Sequence, residues 1–380
     1  MTSARSRFFD TRAAYILFAN ATTEKAVVAE RVGREVDHLY PRPPGLRVFD
    51  AGMGDASVLT QVMRKMHTVF PHIPWTVVGK EISIEDVRQA LVKLPDRFYE
   101  HPEMVFVVTN MRFREATRLQ PVDGSDLRWR DIPLEGGTAH EFATQILDLL
   151  ESLADDWEVT TSPHTGNPVY VNPAVVVLYR ADHEFILRPL IPSPEGPPPE
   201  YDLVIAAQPY RAAAPLESKV RNVIAPLAQS LRPGGRLIGI HSTGRDPGLE
   251  IIRQVWPDED PFRHTGKEIT DELRRQVDDP GLEVVPLGPE EATFRFEMHY
   301  LPSEGSEHIG TSSVLATWNA AAYVAQIDEQ RLNEAMHSGA WEDAVRRVME
   351  REPRIWFEDE AYVIVRRDQD VANSANAATD

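Results

Sequence analysis

The stretch Leu46-Arg47-Val48-Phe49-Asp50-Ala51-Gly52-Met53-Gly54-Asp55-Ala56 constrains the fold of this chain more than any other. An apolar run ends in an acid and a glycine-spaced turn. The residues that follow, Val58 to Arg64, read as a helix. A strand, a tight turn and a helix start bring backbone N–H groups to a point where a ligand can approach closely. Alone, such a turn is a weak signal. The order of elements after it gives it meaning.

About thirty residues on, the usual length of one strand–helix–strand unit, Trp75-Thr76-Val77-Val78-Gly79-Lys80-Glu81 is a second apolar strand ending in an acid. An acid at this place commonly grips ribose hydroxyls. Met104 to Asn110 reads as a third strand ending in a polar residue. Tyr201 to Tyr210 reads as a fourth strand and its exit. Leu227 to His241 reads as a helix, a Pro233-Gly234-Gly235 turn and a fifth strand.

This series resembles the class I methyltransferases that depend on S-adenosylmethionine (SAM). The likeness runs from Leu46 to His241, apart from one long insertion. Asp50-Ala51-Gly52-Met53-Gly54 looks like their first motif, Glu81 like their ribose-binding acid, and Leu231-Arg232-Pro233-Gly234-Gly235-Arg236-Leu237 like their turn into the fifth strand. Asn110 stands where they usually place an adenine contact, with Met111 beside it. The resemblance implies SAM as cofactor and a seven-stranded Rossmann-like α/β sheet. Asp50, Gly52, Gly54, Glu81, Asn110, Met111 and Gln208 would bind it. Ala56 departs from the pattern, which often has a third glycine there. A nicotinamide-dinucleotide site is the rival reading. It is opposed by Gly52-x-Gly54-x-x-Ser57, which lacks the third glycine of that fingerprint, and by the helical segment that precedes the first strand.

The 380 residues suffice for one large domain with insertions. Hydrophobic content of 42% and charged content of 26% are those of a globular protein. There is no cysteine, so disulfides and thiolate–metal sites are excluded. No His/Asp/Glu spacing indicates a metal. No apolar run has the length of a membrane span or a signal-peptide core, which makes a cytoplasmic protein the expectation. A net charge of −19 repels phosphate backbones and argues against nucleic acid as partner. It favours amines or other cations over anions as substrates.

The chain divides into a helical N-terminal cover (1–45), the first half of a SAM-binding domain (46–112), an insertion between the third and fourth strands (113–199), the second half with a helical insert (200–367), and a small, polar tail (368–380) expected to be disordered. In the leading segment a break at Ala21-Thr22-Thr23-Glu24 suits a new N-cap. Phe9, Arg12 and Tyr15 there could cover the SAM pocket or simply pack. In the insertion, the spacing predicts a helix over 141–153. It also predicts a hairpin of Ala174–Tyr179 and Glu184–Leu187 around the turn 180–183. Its strands are nearly all apolar and need cover on both faces, so the insertion is expected to be a lid or a homodimer element. Later, helices are predicted over 268–276, 314–336 and 341–349, and strands over 292–300 and 360–367.

Ligands of open α/β sheets bind beyond the carboxyl ends of the strands, which gathers Asp50, Gly52, Gly54, Glu81, Asn110, Gln208 and His241 at one crevice. Gln208-Pro209-Tyr210 resembles a variant of the Asp/Asn-Pro-Pro-Tyr motif of nitrogen methyltransferases, with Gln in place of the acid amide and the second Pro missing. His241, of a residue type that titrates near neutral pH, is a candidate general base, with Tyr210 as the other catalytic candidate. The plain alternative for each is a residue that shapes the crevice. Tyr15, Trp318 and Tyr323 are candidates for an aromatic wall around a small-molecule methyl acceptor, or core residues. Two other functions stay open, a catalytically silent SAM-fold scaffold and a protein methyltransferase.

Overall fold

The computed structural model describes residues 12–162, 168–299, 312–352 and 354–368. Its strands in chain order are β1 (Leu46–Asp50), β2 (Trp75–Lys80), β3 (Met104–Thr109), β4 (Arg128–Leu134), β5 (Val159–Thr161), β6 (Pro168–Tyr170), β7 (Ala174–Arg180), β8 (Tyr201–Ala207), β9 (Leu231–Ser242), β10 (Leu282–Val285), β11 (Thr293–Glu297) and β12 (Trp356–Arg366). Ten of them form one sheet in the order β10-β12-β9-β8-β1-β2-β3-β7-β4, with β11 also on β12. The expected seven-stranded core lies inside it. The chain order reverses between β1 and β8, the switch point at which ligands of such sheets bind.

Side chains alternate across the central strands, as a period of two requires. Val48, Val77 and Phe106 enter one apolar cluster, and Phe49, Val78 and Val107 enter the other. Both clusters are closed to water, so these strands read as continuous apolar runs. Helix α1 (Arg12–Ala21), α2 (Glu24–Val36) and α3 (Ser57–Val69) lie at the beginning of the chain. Val58, Leu59, Val62, Met63 and Met66 form the buried stripe of α3 at helical spacing. A third cluster joins Phe18 of α1 to Phe296, Trp318, Val345 and Phe357, which ties the N-terminal cover to the late helical insert.

The insertion differs from expectation. β7 is all buried and pairs antiparallel with β3 and parallel with β4, so it widens the sheet. Glu184–Leu187 is a helical turn after a 3-10 turn, not the second strand of a hairpin. β3 and β4 pair the edges of β7; one face is covered by the helix Ala139–Leu153 with Phe142 and Ile146, and the other packs in the cluster of Leu187 and Leu190. The strand predicted over 292–300 is β11. The sheet-edge strand beside the end of β12 is instead β10, before it in the chain. The single helix predicted over 314–336 is two, Ser313–Val324 and Glu329–Ser338. They break where Gln326 takes φ +55° and Asp328 caps the next helix through Arg331 N at 3.0 Å. The break at Thr22-Thr23 occurs as expected, yet the Thr23 side chain caps nothing; Thr22 bridges to Met298 instead. Phe9 and the tail beyond residue 368 lie outside the described residues. No helix among the described residues is long and apolar enough to cross a membrane.

Candidate functional site

The site begins where β1 stops. Ala51 N donates to Ile205 O at 2.9 Å, which holds the turn to β8, and Met53 N donates to Lys80 O at 3.2 Å, which holds it to β2. Asp50 is buried and accepts from Gly52 N at 3.1 Å. Glu81, just past β2, accepts from Gly54 N at 3.0 Å through one oxygen. Its other oxygen accepts from Ile82 N and Ser83 N at 2.7 and 2.9 Å. One carboxylate therefore joins the loops that follow β1 and β2. A Cβ built on Gly52 would meet nothing within 4 Å, so open space lies over this part of the turn. Gly54 has φ +51°, a conformation that favours glycine.

Ala56, at the position of the missing third glycine, also sits in the left-handed region with φ +58° and is fully buried. It precedes α3, whose first turn is capped by the neighbouring acid. Asp55 accepts from Ser57 N at 3.1 Å and Ser57 Oγ at 2.7 Å, and pairs with Lys93 Nζ at 2.7 Å. Burial alone would raise the Asp55 carboxyl; Lys93 and Ser57 hold it well below the usual range instead. Tyr15 of α1 donates to the same carboxylate at 2.9 Å, and its hydroxyl lies 3.4 Å from where a Cβ on Gly54 would stand. Burial pushes the Tyr15 hydroxyl up to about 12. Tyr15 therefore covers the glycine turn, with Tyr323 at 6.1 Å behind it and Phe18 stacked on Tyr323 at 4.6 Å.

The electrostatics of the crevice are acidic. Burial pushes Asp50 up to about 7, and the charge of Glu81 adds to the effect. Burial does the same to Asp359, which is 0% exposed. One Asp359 oxygen accepts from Ser242 Oγ at 2.8 Å and from Gln208 Nε2 at 3.3 Å; the other is buried without a hydrogen-bond partner. A buried acceptor in that state costs about 1–3 kcal/mol. The charge of Lys25, paired with Glu24 at 3.0 Å, partly offsets the rise at both acids.

A second cluster follows β8. Gln208 is held at φ +49° and donates to Ser242 Oγ at 2.9 Å. Tyr210 meets His241 Nδ1 at 2.5 Å, and His241 Nε2 meets Glu360 Oε1 at 2.6 Å. His241 is buried and spends both ring nitrogens on protein partners. Burial alone would raise Glu360, but the bond to His241 and the bond from Gly266 N hold it below the usual carboxylate range.

Three expected contacts fall elsewhere. The Asn110 amide is wholly committed to the insertion: it donates to Asn172 O at 2.9 Å and Asp156 O at 3.3 Å, and accepts from Ala174 N at 2.9 Å. β7 lies against β3 and uses up the group expected on adenine. The Met111 side chain is in the core with Ala116 and Leu119. Trp318 is also core, 2% exposed between Trp256 and Trp341. Sequence reasoning missed Asp359 and Glu360. Their signal was an acidic triplet at the start of the last strand, Glu358-Asp359-Glu360. Because β12 runs antiparallel to β9, its beginning lies at the ligand end, with Asp359 opposite Ser242 and Glu360 opposite His241.

Numbered by their role in the sheet, the seven core strands run third, second, first, fourth, fifth, seventh, sixth, with the seventh antiparallel. With the glycine turn and the acid after the second strand, this is the fold of the class I SAM-dependent methyltransferases. No family model and no curated protein matches the chain. Solved structures align over most of its length at low identity. Geranyl diphosphate methyltransferase in complex with GPP and sinefungin is 13% identical, covering 89% of this chain and 78% of that one, with a TM-score of 0.33. YjhP from E. coli is 12% identical over 90% of both chains, with a TM-score of 0.34. Phosphoethanolamine N-methyltransferase 2 of Haemonchus contortus is 9% identical over 90% of this chain and 52% of that one, with a TM-score of 0.29. The fold assignment rests on strand order and turn geometry rather than on these overlaps.

Proposed function

We propose that the protein binds SAM over the glycine turn and transfers its methyl group to a nucleophilic nitrogen or oxygen of a small molecule. The observation that carries this reading is Glu81, an acid at the tip of the second strand, bonded to Gly54 in the turn after the first strand with open space over Gly52. The donor set suits the cofactor. SAM presents ribose hydroxyls and an ammonium group as donors and a sulfonium as a cation, and Asp50, Glu81 and the unpartnered oxygen of Asp359 are acceptors and anions. When bound, SAM supplies a methyl group already activated by positive charge.

The chain's own residues then have three tasks. Glu81 and the Gly52–Gly54 backbone hold the cofactor. Tyr15 and Tyr323 keep water from it. Tyr210 and His241 hold the acceptor or its proton, and alignment with water exclusion supplies the rest. The acceptor is identified by incubating lysate metabolites with methyl-labelled SAM and the purified protein. Label in a small molecule supports the reading. Label in lysate protein alone would replace it with a protein methyltransferase.

A catalytically silent SAM-fold scaffold is the second reading. The observation that favours it is His241, whose two nitrogens are both bonded within the protein. SAM binding without methyl transfer to any metabolite would select it.

A further inference from the structure

The cluster around His241 contains more titratable groups than alignment of a methyl group requires. Tyr210, His241 and Glu360 are joined by two hydrogen bonds of 2.5 and 2.6 Å in one line. Glu360 is fixed from the other side by Gly266 N, the first residue of the helix Gly266–Gln276, at 2.5 Å. Each link has a different exposure. His241 is 5% exposed and Tyr210 is half-buried. Both nitrogens of His241 are taken by Tyr210 and Glu360, so a substrate at this end of the sheet can meet the half-buried Tyr210 side chain but no nitrogen of His241.

A carboxylate accepts only. The Glu360 bond therefore places a hydrogen on His241 Nε2. In the neutral ring Nδ1 is then an acceptor, and the Tyr210 hydroxyl must donate to it. The arrangement has the form of an activated hydroxyl, an imidazole and an orienting carboxylate. We propose that Tyr210, His241 and Glu360 form a proton relay in which the Tyr210 hydroxyl faces the methyl acceptor, His241 stores the proton, and Glu360 is a positioning residue that sets the tautomer.

This deepens the methyl-transfer reading and rests on it. The proton balance is simple. The acceptor's N–H or O–H proton passes to the Tyr210 oxygen as the Tyr210 proton passes to His241 Nδ1. The electron pair left on the acceptor atom forms its bond to the methyl carbon, and the sulfur keeps the pair of the bond that breaks. The imidazolium is stabilised by Glu360, which gains no proton.

The surroundings agree. Tyr362 lies 3.4 Å from the Tyr210 hydroxyl, and its ring is 5.9 Å from His241. Lys219 is 5.0 Å over the Tyr210 ring and donates to Ala212 O at 2.7 Å; burial lowers it to about 8. Lys219 stands directly before the π-helical turn Val220–Ile224, an irregularity often found at functional sites. Arg245 acts on Glu360 from the loop after β9. Burial holds the Tyr210 hydroxyl far above its ordinary range, so an unassisted phenolate is disfavoured and the partner on Nδ1 is needed.

The test uses the full chain labelled with 15N-histidine, together with Y210F, E360Q and E360A. Long-range 1H–15N spectra should show hydrogen on His241 Nε2 and none on Nδ1. SAM affinity, measured by calorimetry, should change less than about threefold in Y210F and E360Q. Labelled methyl transfer to catechol, ethanolamine and benzoate serves as the acceptor probe. On any of these that the wild type turns over, Y210F should lose about 10²–10⁴-fold, the size of a general-base contribution. E360Q should shift the rising limb of the pH–rate profile, which a purely structural bond would leave in place. Hydrogen on Nδ1 overturns the relay, whether or not a probe is turned over. So does Y210F with full turnover. A wild type that binds no SAM fails the methyl-transfer reading instead, a result the calorimetry separates from the relay.

Discussion

Glu81 has two roles that one substitution can separate. Its carboxylate accepts three backbone N–H groups and is also the proposed ribose ligand. Glu81→Ala should weaken SAM binding by about 1–3 kcal/mol, the range for a hydrogen bond to a charged group, and should lower the melting temperature through the freed loop. Calorimetry and thermal melts check the two halves; unchanged SAM affinity would mean another acid holds the ribose. Asp50 carries a pH prediction. Burial raises it to about 7, so it is neutral below that pH and anionic above it. If it faces the cation, SAM affinity should fall as pH drops from 8 to 6, with proton release on binding visible as buffer-dependent enthalpy. For folding the sign is opposite. Asp50 and Asp359 favour the folded state below an unfolded value of about 3.9, and that contribution disappears as pH rises through about 7. His101, stacked on Trp75 at 3.5 Å and lowered to about 4 by burial, stabilises above an unfolded value of about 6.5 and loses that as pH falls toward 4. His101→Gln should flatten the acid side of the stability curve between those values. At this scale Asp50, Gly52, Gly54 and Glu81 were legible because the turn fixes them by backbone position. Glu360 and Asp359 were not, because their place depends on the register of an antiparallel strand over a hundred residues away.

The insertion is the element that most changed meaning. Read from sequence, it was a lid or homodimer element. In the structure β7 completes the cover of β3, and Trp157 Nε1 donates to Glu81 O at 3.0 Å. Leu134, Phe142, Ile146 and Val176 belong to the same cluster as Val77 and Phe106. Replacing residues 113–199 should therefore yield an aggregating chain rather than a folded SAM-binding core. A soluble, cooperatively melting variant would contradict this. Asn110→Ala tests the same junction with one residue. It leaves Ala174 N and Asn172 O without their buried partner, so a loss of about 2–4 kcal/mol is expected in denaturant unfolding, and an unchanged midpoint would show the junction to be loose. The hairpin was misread because Glu184-Phe185-Ile186-Leu187 is a short apolar run, which periodicity cannot assign to helix or strand. β4 was missed because Arg128, Arg130, Asp131 and Pro133 hide an edge strand, where charge and proline are tolerated.

At the scale of the whole molecule, six parallel strands, one reversal of strand order and an antiparallel seventh strand define what the crevice can hold. The parallel strands were legible as apolar runs ending in polar residues. The widened edge was not, because which insertion strand joins a sheet is settled by pairing rather than by pattern. The N-terminal cover and the late helical insert meet over the crevice through Tyr15, Phe18 and Tyr323, so the site is assembled from both ends of the chain. We propose that this crevice is built for SAM. Titration calorimetry of the full chain with SAM and with NAD, at pH 8 where Asp50 is anionic, tests it most directly. The account predicts micromolar SAM binding and much weaker NAD binding; NAD binding with no SAM binding would contradict it.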